Sequence, residues 1–162
     1  DISAQDIEND FSSAVEIDLQ IPARLPEDYL PDVHTRLIMY KRIANAKNAE
    51  QLYELQIEMI DRFGLLPDEA KALINLTELR LQAMAMGITE IRLGESGGRV
   101  KFADKPNIDP MALIQLLQSG KGIYRMEGPQ IQHLMMEPAT EEQRRQAVTE
   151  LFNELMQGQT QD

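Results

Sequence analysis

Three charged residues crowd the end of one helical stretch, 56–64, which reads "QIEMIDRFG". Glu58, Asp61 and Arg62 stand within five positions of one another, just before Gly64. Such a group fits three roles: a catalytic carboxylate pair, a docking surface or an ordinary solvated face. A catalytic pair needs two carboxyls across a cleft with separated pKa values. A docking surface needs carboxylates that accept charge-assisted hydrogen bonds from a basic partner.

Patterns that support catalysis are absent from the rest of the sequence. There is no cysteine, no GxxxxGK[ST] phosphate loop and no HExxH zinc motif. His34 and His133 have no nearby residues at metal-ligand spacing, and we interpret both as surface or structural histidines. Aromatic residues make up 5% of the chain and tryptophan is absent, which disfavours stacking on sugars or bases. We therefore expect no catalytic residues, no cofactor and no metal.

The composition narrows the class of partner. The net charge is −11, and the first 33 residues contribute −8 of it. This charge argues against direct binding to nucleic acid, which attracts basic surfaces. No apolar run approaches the ~18–20 residues of a membrane span. The lack of cysteine fits a reducing compartment, so we expect a cytoplasmic protein without membrane contact.

The first half of the chain is organised around helices. Residues 1–13 are polar and acidic, and they predict a linker or arm. Residues 15–21, "VEIDLQI", alternate apolar and polar residues, which predicts a strand with one buried face. Asp32 is placed to cap a helix from Val33 to about Ala46, whose core face we predict as Val33, Leu37, Tyr40 and Ala44. Asn48 with Gln51 resembles a capping box, Gly64 ends that next helix, and Pro67 opens another.

The second half predicts two hairpins, with a short helix between them and a closing helix after them. Residues 88–93 and 100–103 flank "GESGG", and residues 123–126 and 131–136 flank "EGPQ". The fold class is therefore α+β: a small, mostly antiparallel sheet of hairpins packed against about five helices. We predict a single domain over 14–157 and a disordered tail over 158–162. The order of the strands does not follow from the sequence.

A helical wheel separates two sides of the stretch that carries the charged group. The core side holds apolar residues within ~80°, at the spacing of one helix face. They are Leu52, Leu55, Met59 and Phe63, with Ile60 beside them. The opposite side is polar, with Glu54, Glu58, Asp61 and Arg62.

Asp61 is the least expected residue on the polar side. Glu58 and Arg62 form a favourable i,i+4 pair, whereas Glu54 and Glu58 repel at the same spacing. A carboxylate near a helix C-terminus opposes the dipole and costs ~0.3–1 kcal/mol when exposed. Residues that break a local rule without local compensation tend to mark functional sites. A solvated acidic face and a docking face both remain open on these residues alone.

Two segments resemble a known family. "YKRIA" over Tyr40–Ala44 and "EMIDRFGLLP" over Glu58–Pro67 are similar to the C-terminal domain of the Mfd family of bacterial transcription-repair coupling factors. The resemblance runs from Val15 to the last helix and weakens over the acidic arm and the tail.

The resemblance implies a function for a larger parent protein. Members of the family are ATP-driven DNA translocases that displace stalled RNA polymerase and recruit the excision-repair protein UvrA. Their motor lies elsewhere in the chain. The C-terminal domain is non-catalytic: it packs against a UvrB-like module of the same protein and covers the surface that UvrA must reach.

The resemblance also suggests a role for the polar side. We expect Glu58, Asp61, Arg62 and Glu54 to dock onto basic groups of the UvrB-like module, so that the domain acts as an autoinhibitory clamp. The direct partner is then intramolecular, with UvrA and RNA polymerase as indirect partners and the isolated domain as a monomer. The alternative is a generic adaptor or oligomerisation domain that binds another protein in trans. An enzyme is the third hypothesis, to be revived by a deep carboxylate-lined pocket.

Overall fold

The computed structural model of the protein describes residues 15–119, 123–134 and 139–156. Within these ranges the chain forms five strands and five helices. Their order is β1 (Glu16–Asp18), α1 (Val33–Ala44), α2 (Ala49–Phe63), α3 (Asp68–Met86), β2 (Ile88–Gly94), β3 (Gly97–Phe102), α4 (Pro110–Ser119), β4 (Tyr124–Glu127), β5 (Gln130–Leu134) and α5 (Glu141–Met156). The predicted α+β class is confirmed.

The chain divides into two compact units. One contains Pro22–Leu81, and the other contains Val15–Ile21 together with the residues from Gln82 onward. The prediction of one domain over 14–157 stays a prediction. The predicted arm at 1–13 and the predicted tail at 158–162 lie outside the described residues.

The first unit is built on a core shared by α1, α2 and α3. Met39, Ile43 and Met59 are completely buried at its centre, and Leu52 and Ile74 are nearly so. This core holds α2 through the face predicted from the wheel, since Leu52, Leu55 and Met59 are all buried. Phe63 is half-buried and packs against the same core. Ile60, which we expected beside the core face, is instead exposed.

The predicted core face of α1 is only partly right, because Tyr40 packs against the core but the fully buried residues were not among those predicted. Met39 and Ile43 are the buried residues of this helix, whereas Val33 is exposed. Apolar residues occur on more than one side of α1, so the periodicity did not decide which side faces the core. Tyr40 stays at the boundary because its hydroxyl accepts a hydrogen bond from the backbone N–H of Leu25 at 2.8 Å.

The ends of α2 follow the predicted local chemistry. Asn48 accepts a hydrogen bond from the backbone N–H of Gln51 at 2.8 Å, and the Gln51 side chain accepts from the N–H of Lys47 at 2.7 Å. Gly64 has φ +97°, a conformation that glycine adopts without strain, and its N–H closes the helix on the carbonyl of Ile60 at 2.9 Å. The helix that carries the charged group is therefore fixed at both ends.

The second unit contains a five-stranded sheet in the order β1-β2-β3-β5-β4. β1 runs parallel to β2, and all other neighbours are antiparallel. Both predicted hairpins are present, as β2–β3 and β4–β5. In the first hairpin, a Cβ on Gly98 would lie 1.8 Å from the carbonyl oxygen of Arg92, so the close approach of the strands requires glycine there. The side chains of Ile91, Val100, Val148 and Leu151 meet where α5 covers the sheet.

The first strand of this unit is shorter than predicted, and a residue that the sequence analysis did not single out binds the backbone that follows it. β1 ends at Asp18 because Gln20 adopts φ +57° and its N–H binds the Asp18 side chain at 2.9 Å. Arg144 of α5 is buried and donates to the carbonyls of Leu19 at 2.7 Å and Ala139 at 2.5 Å, with a longer bond to Gln20. The arginine supplies donors to backbone carbonyls that lack a strand partner.

Candidate protein-interaction site

The end of α2 is held in place by Tyr29. Its hydroxyl donates to the carbonyl of Gly64 at 2.9 Å and to that of Met59 at 3.3 Å. Its ring meets Phe63 edge-on, with 6.2 Å between the centroids. These contacts fix the last turn of α2, which carries Asp61 and Arg62.

Glu58 links two helices of the first unit. Its carboxylate accepts two hydrogen bonds from the Arg42 guanidinium of α1, at 2.5 and 2.8 Å, and a third from Arg62 at 3.0 Å. Hydrogen bonds from Arg42, and secondly from Arg62, lower the pKa of Glu58 to about 2. The predicted Glu58–Arg62 pair is therefore confirmed, but the bidentate partner is Arg42.

Arg42 was missed from the sequence. It stands 16 residues before Glu58, on a different helix, so no local spacing connects the two. The pairing depends on how α1 and α2 pack, which is a tertiary property. The available signal was a pair of basic residues, Lys41 and Arg42, in the last turn of α1.

Asp61 and Glu54 stand in a different environment from Glu58. Both are exposed, and neither side chain makes a hydrogen bond or ion pair with any other residue in the described part of the chain. Asp61 lies in the last turn of α2, where the dipole does not favour it. The four predicted site residues thus fall into two pairs: Glu58 with Arg62 inside an ion-pair network, and Glu54 with Asp61 directed to solvent.

Arg62 has two contacts that limit its motion. Its guanidinium binds Glu58 and also lies over the Phe63 ring, 4.7 Å from the centroid. A guanidinium stacked in this way keeps donors available on its outer edge. Arg62 can therefore donate to an acceptor on a partner while its side chain stays in one position.

A groove of about 520 Å³ lies between α1 and α2, beside these residues. Ile38, Ala46 and Leu55 contribute apolar surface, and the charged side chains of Lys41, Arg42, Glu54 and Glu58 also line it. Hydrogen bonds from Arg42 and Arg62 keep the Glu58 carboxylate deprotonated. Glu58 therefore lacks the raised pKa that a general acid needs. Across residues 15–119, 123–134 and 139–156, no three His, Cys, Asp or Glu side chains cluster as metal ligands.

The other sequence predictions about sites have separate outcomes. His34 is exposed on α1, and β5 contains His133, whose side chain lies outside the described part of the structure. In the part of the chain that the structure describes, no helix is both long enough and apolar enough to span a bilayer.

Comparison with known proteins shows which family this chain resembles. The TRCF domain family matches residues 19–113. The chain is 46% identical over 123 residues to the transcription-repair-coupling factor of Escherichia coli (strain K12), and 47% identical over 114 residues to that of Haemophilus influenzae. These alignments cover 76% and 70% of this chain but only 11% and 10% of the relatives, so the chain spans about a tenth of their length.

A solved structure described as the C-terminal domain of transcription-repair coupling factor has the same fold. Its TM-score is 0.72 at 20% sequence identity, and the superposition covers 90% of this chain and 95% of that one. The family match extends over more than half of the chain and includes all of α1, α2 and α3. The chain therefore belongs to the transcription-repair-coupling factor family.

Proposed function

We propose that this chain is the non-catalytic C-terminal domain of a cytoplasmic bacterial transcription-coupled DNA repair factor, and that it acts as an autoinhibitory clamp. In this proposal the domain docks on the UvrB-like module of its own parent chain and masks the surface that UvrA uses. The ATP-driven motor and the contact with RNA polymerase belong to other parts of the parent. Family membership supports a role in this repair factor, and the docking role rests on Asp61, which is exposed and has no partner among the residues that the structure describes.

The geometry of α2 suits docking onto basic groups. Asp61 and Glu54 offer carboxylate oxygens that bind no other residue in the described ranges, and bidentate bonds from arginine suit such acceptors. Glu58 acts one step behind them, because its bonds to Arg42 fix α2 against α1. Arg62, held over Phe63, adds a donor beside the two acceptors. The surface is therefore preorganised, which lowers the entropy lost on docking.

A clamp of this kind must hold only weakly. A closed state favoured by a few kcal/mol is opened when engagement of polymerase favours the open state by a similar amount. Polar contacts of modest area suit an interface that opens and closes within one chain.

The test is charge reversal of Asp61 in the full-length factor. Asp61→Arg should increase UvrA binding, because it sets a cation against the basic partner. Asp104→Arg is the matched control, since Asp104 is also an exposed aspartate but lies in the other unit. Reversal of Glu58 is a poorer test because it also breaks the ion pairs with Arg42 and Arg62. Equal UvrA binding by Asp61→Arg and Asp104→Arg would overturn the proposed function.

A further inference from the structure

Helix α2 carries an apolar ridge that the core does not use. Tyr53, Ile57 and Ile60 are 64%, 49% and 36% exposed. They stand at i, i+4 and i+7, so they line one face of the helix. Single exposed apolar residues are ordinary on protein surfaces, but a continuous helical row of them indicates an interaction site.

The ridge has charged residues along one side only. On the wheel, the ridge lies ~80–140° from Leu52, and an acidic crest of Glu50, Asp61 and Glu54 follows at ~160–200°. Glu58 and Arg62 come next, on the flank that pairs with Arg42 of α1. The solvent side of α2 therefore presents an apolar ridge bordered by an acidic crest.

We propose that the ridge of Tyr53, Ile57 and Ile60 is the apolar centre of the docking surface, and that the acidic crest is its charged rim. The partner that fits is a protein surface with an apolar cleft bordered by arginine or lysine on one side. Resting on the proposed function, we assign this cleft to the UvrB-like module of the parent chain. This pattern, an apolar centre with a polar rim, is typical of protein interfaces.

Charge decides against a second copy of this chain as the occupant. In an antiparallel two-fold contact across the ridge, the crest residues Glu50, Glu54 and Asp61 of each copy would lie near those of the other. In a parallel contact each crest would face the uncharged side of the other ridge, where α2 offers no cation. No cation of α2 lies between the crest and the ridge to offset this repulsion. A basic partner removes the conflict. The relatives are about ten times longer than the aligned segment, so such a partner can be supplied by the same polypeptide.

The two parts of the surface differ in their response to salt. Attraction between the exposed crest and a basic rim is screened, with a Debye length of about 10 Å at 0.1 M and 3 Å at 1 M. Burial of the ridge is a hydrophobic contribution that salt does not screen. Variants of the two parts are therefore distinguished by whether their effects persist at high ionic strength.

The experiment compares double variants in the full-length factor, with UvrA binding as the readout at about 0.1 M and 0.5 M salt. Tyr53→Gln/Ile57→Gln removes the ridge and retains good helix-forming residues. Met111→Gln/Ile114→Gln is the matched control, because these residues are 56% and 43% exposed on α4. We expect the ridge variant to bind UvrA at least tenfold more tightly than wild type at both salt concentrations, and the control to bind as wild type does.

Asp61→Arg separates failure of the inference from failure of the proposed function. If this variant raises UvrA binding at low salt and the ridge variant does not, the ridge inference is wrong and the clamp remains. If neither variant changes UvrA binding, the clamp itself is wrong. If the ridge variant and the Met111→Gln/Ile114→Gln control gain equally, the effect is a general loss of exposed apolar surface, which also overturns the inference. Circular dichroism and urea unfolding of the 162-residue chain must show wild-type folding for each variant.

Discussion

Neutralising Asp61 should make the protein more stable and the clamp weaker. Asp61→Asn removes a carboxylate from the last turn of α2, where the helix dipole opposes it. Exposed charges at this position contribute ~0.3–1 kcal/mol, and here the sign is unfavourable. Loss of repulsion with Glu58, three residues earlier, changes stability in the same direction. We therefore expect the free energy of unfolding to rise by about 0.3–1 kcal/mol.

Docking should change in the opposite direction. A hydrogen bond to a charged group contributes roughly 1.5–3 kcal/mol, and the amide of asparagine forms only the weaker neutral kind. The closed state of the full-length factor should therefore lose stability, and UvrA binding should rise by about tenfold or more. If Asp61 made no docking contact, Asp61→Asn would still raise the free energy of unfolding, because the dipole acts in either case, but UvrA binding would stay unchanged.

Two other carboxylates of α2 serve as matched controls for stability. Glu50 lies in the first turn, where the dipole favours it, so Glu50→Gln should lower the unfolding energy by about 0.3–1 kcal/mol. Glu54 lies in the middle of the helix, where the dipole has little effect, and Glu54→Gln should change stability least. The three variants share one change of charge and differ in position along the helix.

The assay is urea and thermal unfolding of the 162-residue chain at low ionic strength. For a chain of this size, 0.3–1 kcal/mol corresponds to about 1–4 °C in Tm. The differences among the three variants should shrink in about 0.5 M salt, since exposed charges are screened. A lower Tm for Asp61→Asn would refute this reasoning, because it would mean that Asp61 has a stabilising partner inside the unit.

Three further predictions concern the interior and the ion pairs. The pKa of Glu58 is about 2 in the folded state against an ordinary 4.5, so its stabilising contribution is complete above pH ~4.5 and is lost as the pH falls towards 2. Urea unfolding should therefore show wild type more stable than Glu58→Gln at pH 7, and this difference should disappear between pH 4.5 and 2. A difference that grows in acid would contradict this prediction. Arg144→Met should lower the free energy of unfolding by about 2–4 kcal/mol, measured by urea unfolding, because it keeps the side-chain volume but leaves buried carbonyls without donors; a neutral effect would show that water replaces the guanidinium. Met59→Ala should cost about 2–5 kcal/mol in the same assay, since Met59 is completely buried in the first unit, and a cost below 1 kcal/mol would show that its surroundings collapse into the space.

Features set by neighbouring residues were predictable from the sequence. Thr140 and Gln143 form a reciprocal capping box in the structure, with bonds of 3.1 and 2.9 Å, as their spacing predicts. Gly64 ends α2 for an equally local reason, since only a residue that tolerates positive φ continues the chain there. Such signals depend on a few consecutive residues, so they do not depend on how distant parts of the chain pack.

Features set by distant contacts were not predictable. The parallel pairing of β1 with β2 joins Ile17 to Ile91, and nothing in either strand specifies the other. The burial of Arg144 has the same origin, because its partners Leu19 and Gln20 lie more than 120 residues away. The core face of α1 was predicted only in part for this reason: its apolar residues permit several faces, and packing selects the one with Met39 and Ile43.

The candidate site shows the same division. The wheel placed Glu54, Glu58, Asp61 and Arg62 on one side of α2, and the structure agrees that all four avoid the core. The wheel did not show that Glu58 forms an ion pair with Arg42, since that contact joins two helices. The same wheel also places the ridge residues together, since Tyr53 and Ile57 lie ~100° and ~140° from Leu52. Their exposure became known only from the structure, where Tyr53 and Ile57 are 64% and 49% exposed.

The acidic crest explains how the chain tolerates an exposed apolar ridge. A row of apolar residues on a helix favours self-association, because each copy offers the other a surface to bury. Glu50, Glu54 and Asp61 oppose this association, because a two-fold contact sets them either against like charges or against the uncharged side of the other ridge. In the proposed docking the same charges favour a basic partner, so one feature both disfavours self-association and selects the partner. On this proposal Asp61, which costs local stability, is the residue where selection of a partner conflicts with stability of the helix.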